Sequence, residues 1–187
     1  MRCCTREMLP WVERHEWNSL KNIEFKAELR DIELARTTCA FLHARRIAIL
    51  HQTDEYVSVP EGRLKKRSER DEVSGRSRCE WIWYTRADRT NARLSVWTRL
   101  DDAQLEVRWP SLDRTITRTI VKRRELWLIE NVRIHLDTVA GLGNYFELEG
   151  VCGSRSGLAE TKLKVDTLLE KFRPVLGEAV SASYAEL

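Results

Sequence analysis

Charged and apolar residues alternate along the chain in short runs, each closed off by turn-forming residues. In the segment NIEFKAEL, residues 22–29, Glu24 and Lys26 fall one apart, as do Ile23 and Phe25. Side chains in a strand alternate between faces, so the two charges share one face and the two apolar residues the other. The same pattern predicts strands at 49–58 and 63–68, joined by a turn at Pro60, Glu61 and Gly62. Further strands are expected at 80–86, 93–99, 118–129 and 132–137, with Glu130 and Asn131 as a tight turn, and at 145–151 after a break at Gly141 and Gly143. The charged segment 69–78, which contains Gly and Ser, is expected to be a mobile loop.

Two segments follow a helical period instead. After Asp31, residues Ile32, Ala35, Cys39 and Leu42 form one stripe, which Leu34 and Phe41 widen. Near the end Leu158, Val165, Leu168, Leu169 and Phe172 recur in the same way, with Ser156 as the expected N-cap and Pro174 and Gly177 ending the helix. Residues 102–112 fit helix or strand, and a short helix is favoured. Many strands with two main helices imply an α+β fold rather than a parallel βαβ one.

Strand parity collects the charges. Glu24 and Lys26, Lys65 and Arg67, Arg93 and Ser95, Lys122 and Arg124, the trio Arg133, His135 and Asp137, and Glu147 and Glu149 each share a face, while Arg86 ends its own strand. The opposite faces carry Ile23, Phe25, Leu64, Val121, Leu136 and Leu148. Any single pair suits a solvated strand face. Repetition over so many strands points to one ionic face, either wet or closed into a polar lumen. A lumen holding both signs must pair its charges or bind a ligand. Carboxylates hold Mg²⁺ or Mn²⁺, and Arg and Lys hold phosphate oxygens, so the mixture suits a metal-bound polyphosphate.

Composition narrows the classes. The 187 residues suit one domain with a real core, and residues 1–21, with Trp11 and Trp17, form an N-terminal extension of uncertain order. A charged fraction of 33% with a net charge of only +3 argues against nucleic acid as partner and against an acidic disordered tail. Arginine outnumbers lysine, which suits anion recognition. The cysteines, Cys3, Cys4, Cys39, Cys79 and Cys152, lack CxxC or paired-His spacing, so neither a zinc site nor a disulfide framework is expected, and a reducing cytoplasm is. Residues 1–21 have no apolar signal-peptide core, and no apolar run is long enough to span a bilayer.

The stretches NIEFKAEL, HQTDEYVSVPEGRLKKR, VKRRELWLIENVRIHLD, GLGNYFELEGV and SYAEL together resemble the CYTH superfamily of triphosphate tunnel metalloenzymes, in its class IV adenylyl cyclase-like branch. The similarity runs over about residues 22–187, taken as the CYTH domain. It implies a closed antiparallel barrel of about eight strands with helices outside. It also implies a Mg²⁺- or Mn²⁺-dependent enzyme acting on ATP or another small triphosphate, as a cyclase or a triphosphatase. Glu24 and Lys26 match the second Glu and the Lys of the family's ExExK motif, Lys26 being the expected catalytic residue. Lys65, Arg67, Arg86, Lys122, Arg124 and Arg133 match its triphosphate-binding bases. Asp137, Glu147 and Glu149 join Glu24 as its expected metal ligands. The motif's first Glu falls at Asn22, an amide that can still coordinate a hard cation but brings no charge.

His135 is expected to be a satisfied lumen residue, and Asp54 and Tyr56 to be structural. Two other classes compete with the enzyme: a non-catalytic triphosphate sensor with a weakened metal site, and an RNA- or polyphosphate-binding scaffold on an open sheet. The oligomeric state is open, a homodimer included.

Overall fold

The computed structural model describes residues 19–154 and 156–187. Its strands are β1 (Leu20–Leu29), β2 (Arg45–Val57), β3 (Arg63–Asp71), β4 (Ser77–Arg86), β5 (Arg93–Leu100), β6 (Ile116–Ile129), β7 (Val132–Val139), β8 (Gly143–Cys152) and β9 (Leu176–Ala179). They pair antiparallel in the order β5-β4-β3-β2-β6-β7-β8-β1-β9, and a further pairing of β5 with β1 closes the ring of β1–β8 into a barrel. At the seam Leu20 lies opposite Trp97 and Glu24 opposite Arg93. β9 continues along the same edge of β1, at Ala27 and Leu29. A closed ring leaves no long sheet edge unpaired.

Three helices pack outside: α1 (Ile32–Phe41), α2 (Asp102–Arg108) and α3 (Leu158–Phe172). Asp31 caps α1 by accepting from Leu34 N at 2.9 Å, and Asp101 with Gln104 forms a capping box on α2. The apolar parity faces meet these helices. Ile23, Phe25, Leu136 and Leu148 are buried in one core with Val165 and Phe172 of α3, and the Phe146 and Phe172 rings lie 4.7 Å apart. Leu64 is buried in a second core with Leu105 of α2, Trp81 and Trp83. Gly150 lets α3 approach β8 closely, since a Cβ there would lie 2.5 Å from the Thr161 methyl. From the outer face of β6, Glu125 accepts from both Arg36 of α1 and Arg123.

Several expectations need correction. Residues 69–78 are not a loop: Glu69–Asp71 ends β3, Ser77 begins β4, and only a tight turn remains between them. The strands run longer than the alternation suggested, because backbone pairing continues past the buried positions. Gly157, not Ser156, is the N-cap of α3, and it offers no side-chain cap. Val121 faces outward as its parity requires but is exposed, because no helix among the described residues covers that part of β6. β9 and two 3-10 turns (Arg173–Val175 and Tyr184–Glu186) lie beyond the expected elements. Of the expected extension only residues 19–21 are described, Leu20 and Lys21 within β1; Cys3, Cys4, Trp11 and Trp17 lie outside the described residues. No helix among the described residues is long and apolar enough to cross a membrane.

Candidate functional site

The barrel encloses a cavity of about 300 Å³, lined by charged side chains from seven of its strands, together with Ser183 and Tyr184. The expected residues Glu24, Lys26, Lys65, Arg67, Arg86, Lys122, Arg124, Arg133, Glu147 and Glu149 all line it. Parity puts them there. Each sits at an inward position, and register aligns them around the wall: Glu24 opposite Glu149, Lys26 opposite Glu147, Arg133 opposite Glu149 and Arg67 opposite Asp54.

The basic wall is organised by a carboxylate of its own. Asp54 accepts from Lys65 Nζ at 3.1 Å, from Arg67 Nε at 2.6 Å and Nη2 at 2.7 Å, and from Lys122 Nζ at 2.8 Å. Burial opposes its ionisation, but Arg67, Lys122 and Lys65 outweigh burial and hold the carboxyl well below the usual range. The lysines move the other way. Burial, with Arg67 adding to it, pushes Lys65 down to about 7 despite Asp54, and burial lowers Lys122. These bases are concentrated, largely dehydrated and only partly neutralised. Among the described residues Arg86 Nε is buried without a hydrogen-bond partner. A polyanion would supply the acceptors such a wall lacks.

Arg124 joins the basic wall to the acidic one. Its Nε and Nη2 donate to Asp137 at 2.7 and 2.6 Å, and Nη2 also donates to Glu147 at 2.8 Å. Tyr184 donates its hydroxyl to Asp137 at 2.9 Å. Asp137, expected as a metal ligand, is instead fully buried with both oxygens engaged, and it is not among the residues that line the cavity.

His135, Glu147 and Glu149 each offer one ligand atom, all within 4.8 Å of one another. A single divalent ion with ligand bonds of about 2.1–2.5 Å can span such a group. Burial and the neighbouring Glu147 and Glu149 raise the Glu24 carboxyl above its usual value, in spite of Arg86 donating to it at 3.2 Å. Carboxylates crowded enough to oppose one another's ionisation are what a cation would relieve, so the donor set fits a divalent metal. His135, expected to be only a satisfied lumen residue, stands in this group. Its place between Arg133 and Asp137 on one strand face was the signal available in the sequence.

Two features were not legible in the sequence. The first concerns Asn22. Its buried amide, oriented to satisfy both neighbours, accepts from Trp97 Nε1 at 3.1 Å and donates to Lys21 O at 2.9 Å. The oxygen expected to coordinate a cation is thus held by an indole. The second is polarity of the cavity along its length. Ser183 and Tyr184 close one end: Tyr184 is buried beneath Lys26 Nζ, which lies 3.9 Å from its ring centroid and donates to Ala182 O at 3.4 Å. At the other end Arg78 and Arg99 side chains are 52% exposed and Arg133 38% exposed, so the cavity opens there.

Comparison with known proteins places this arrangement. The CYTH domain profile matches residues 20–181. The chain belongs to the CYTH family. No curated protein sequence matches it. Among solved structures, the CYTH chain resembles a protein of Pyrococcus furiosus, with TM-score 0.62 and 19% identity over 89% of this chain and 99% of that one. It also resembles a Vibrio parahaemolyticus protein proposed as an adenylate cyclase, with TM-score 0.60 and 16% identity over 88% and 95% of the two chains. A Hippeastrum protein, proposed as an adenylyl cyclase and described by its dominant triphosphatase activity, has TM-score 0.55 and 13% identity over 87% and 92%. At these identities the likeness is one of fold. The CYTH barrel is closed, and its bases point inward, which removes the open-sheet scaffold from contention.

Proposed function

We propose that this CYTH protein is a divalent-metal-dependent enzyme acting on a small triphosphate, as an adenylyl cyclase-like or a triphosphatase enzyme. The observation that carries the reading is the cluster of Lys65, Arg67 and Lys122 around the bridging carboxylate of Asp54, with Arg124 held beside them by Asp137 and Glu147, all four bases lining a cavity. Concentrating so much dehydrated positive charge costs stability, and a polyanionic substrate offsets that cost.

In this reading Lys65, Arg67, Arg86, Lys122, Arg124 and Arg133 bind the phosphate oxygens, and Asp137 fixes the Arg124 fork from behind. Glu147 and Glu149, with Glu24 and His135 beside them, hold Mg²⁺ or Mn²⁺, which when bound would offset charge on the phosphate oxygens. Lys26 is the acid–base residue: burial pushes its ammonium down to about 8, so it can hold or release a proton near neutral pH. In a cyclase the ribose 3′-oxygen bonds to the α-phosphorus, the α–β anhydride breaks, pyrophosphate leaves, and the hydroxyl proton passes to base. In a triphosphatase a water oxygen bonds to the terminal phosphorus, the β–γ anhydride breaks, the diphosphate leaves with orthophosphate as the other product, and the water proton passes to base. Both reactions use the same contacts, and a cytoplasmic location, where ATP and Mg²⁺ abound, belongs to the same reading.

The deciding experiment is turnover of ATP, GTP, thiamine triphosphate and inorganic triphosphate with Mg²⁺ and with Mn²⁺. Cyclic AMP with pyrophosphate identifies the cyclase, and orthophosphate the triphosphatase. Binding without turnover, unchanged in Asn22→Glu, would instead establish a triphosphate sensor, the reading favoured by the engagement of the Asn22 oxygen with Trp97.

A further inference from the structure

We infer that Trp97, held by Asn22, is a stacking subsite for an aromatic group carried by the triphosphate. The inference rests on the triphosphate reading above and adds the class of organic group that the site accepts. Trp97 belongs to the cavity lining, on the inward face of β5, where it pairs in register with Leu20 across the seam and with Tyr84 of β4. Tyr84 lines the cavity too, so two aromatic side chains stand side by side on that wall.

Position within the cavity decides what meets them. The end closed by Ser183 and Tyr184 holds Lys26 and Lys122, both of which lie against the Tyr184 ring. Trp97 sits beyond Asn22 and Glu24 on the seam, next to Arg99, whose half-exposed guanidinium lies 5.1 Å from the indole centroid. A cavity of about 300 Å³ is at the small end of ligand sites. With the phosphate chain drawn toward the buried bases, the remaining part of the molecule must lie toward the mouth, against Trp97.

The indole is also prepared for a ligand. A half-buried Trp spends its one donor on a hydrogen bond, and here Asn22 takes it at 3.1 Å. That bond fixes the ring plane and leaves no polar requirement to be met by the ligand, so what the ring offers is the face that Arg99 does not cover. Stacking of a base on such a face tolerates any planar heterocycle. Glu80, paired with both Arg78 and Arg99 at this end, supplies polar groups for the heterocycle's edge. Asn22 thus has a use that a metal-ligating carboxylate would not: a neutral acceptor that orients Trp97 without adding a fourth negative charge to Glu24, Glu147 and Glu149.

The test compares three ligands by calorimetry with Mg²⁺ present: ATP, ribose 5-triphosphate and inorganic triphosphate, each as a methylene-bridged analogue that resists cleavage. The wild-type protein should bind the ATP analogue more tightly than the other two. Trp97→Ala should lower the ratio of ATP to inorganic triphosphate affinity by about tenfold, the loss of one stacked base. Trp97→Phe should retain most of that ratio, and Asn22→Ala should lower it in part. Retained inorganic triphosphate binding shows that each variant is folded. Equal weakening of all three ligands in Trp97→Ala, or an unchanged ratio, overturns the subsite. So does a wild-type protein that binds inorganic triphosphate as well as ATP, and in that case the triphosphate reading stands. A wild-type protein that binds none of the three overturns both.

Discussion

Asp54 of β2 and Lys122 of β6 meet inside the barrel at 2.8 Å, with each side chain only 1% exposed. Lys65 and Arg67 converge on the same carboxylate from β3. Asp54 thus stands where an anion is needed before any ligand arrives, and it lets the basic wall fold.

Asp54→Asn keeps the shape and removes the charge, leaving three cations facing one another. Breaking a buried ion pair costs about 3–5 kcal/mol, so thermal unfolding should shift well down. Inorganic triphosphate should then raise the melting temperature of the variant by more than it raises that of the wild type. A variant as stable as wild type would show that Asp54 is not the counter-ion of this wall.

Lys65 gives the site a pH dependence. Burial and Arg67 push it from the ordinary 10.5 to about 7. Between those values the unfolded chain binds a proton that the folded one does not, so this group's contribution to stability rises with pH across that window and is least favourable below 7. A bound polyanion restores the charged form. Triphosphate binding at pH 8 should therefore take up protons, read as a dependence of calorimetric enthalpy on the buffer's ionisation enthalpy. Lys65→Met should reduce the uptake, and equal uptake in that variant would refute the assignment.

Glu149 tests the metal group apart from the bases gathered on Asp54. Its carboxylate accepts from Arg133 at 3.4 Å and lies 3.9 Å from His135 Nε2. Glu149→Gln should weaken Mn²⁺ binding, followed by electron paramagnetic resonance, by about tenfold or more. Triphosphate binding in EDTA should be little changed. Undiminished Mn²⁺ affinity would remove Glu149 from the ligand set.

The outer core is separable from the site. Phe172 is fully buried against Phe146, so Phe172→Ala should cost about 3–5 kcal/mol in chemical denaturation. Affinity of the folded variant for triphosphate should stay close to wild type. A parallel loss of affinity would mean that α3 packing shapes the cavity.

Particular residues show how far the sequence could be followed. The alternation of Glu24 with Phe25 and of Glu147 with Leu148 put the charges on one face and the apolar residues beneath α3, because the strand period is fixed by backbone geometry. Val121 obeyed the same parity yet stayed exposed, since parity names a face and not its cover. Asp54 was read as structural with no partners assigned, because its three cations come from two other strands.

By itself the sequence determined the period of each element, the sharing of faces and the mixture of carboxylates and bases, all properties of local spacing. Only the tertiary structure decided which charge meets which. Closure of β5 onto β1 brought Trp97 to Asn22, the C-terminal turn carried Tyr184 to Asp137, and strand register placed His135 beside Glu147. Those pairings join residues distant along the chain, and the stagger of a closed barrel, which no local pattern encodes, sets the level at which they meet.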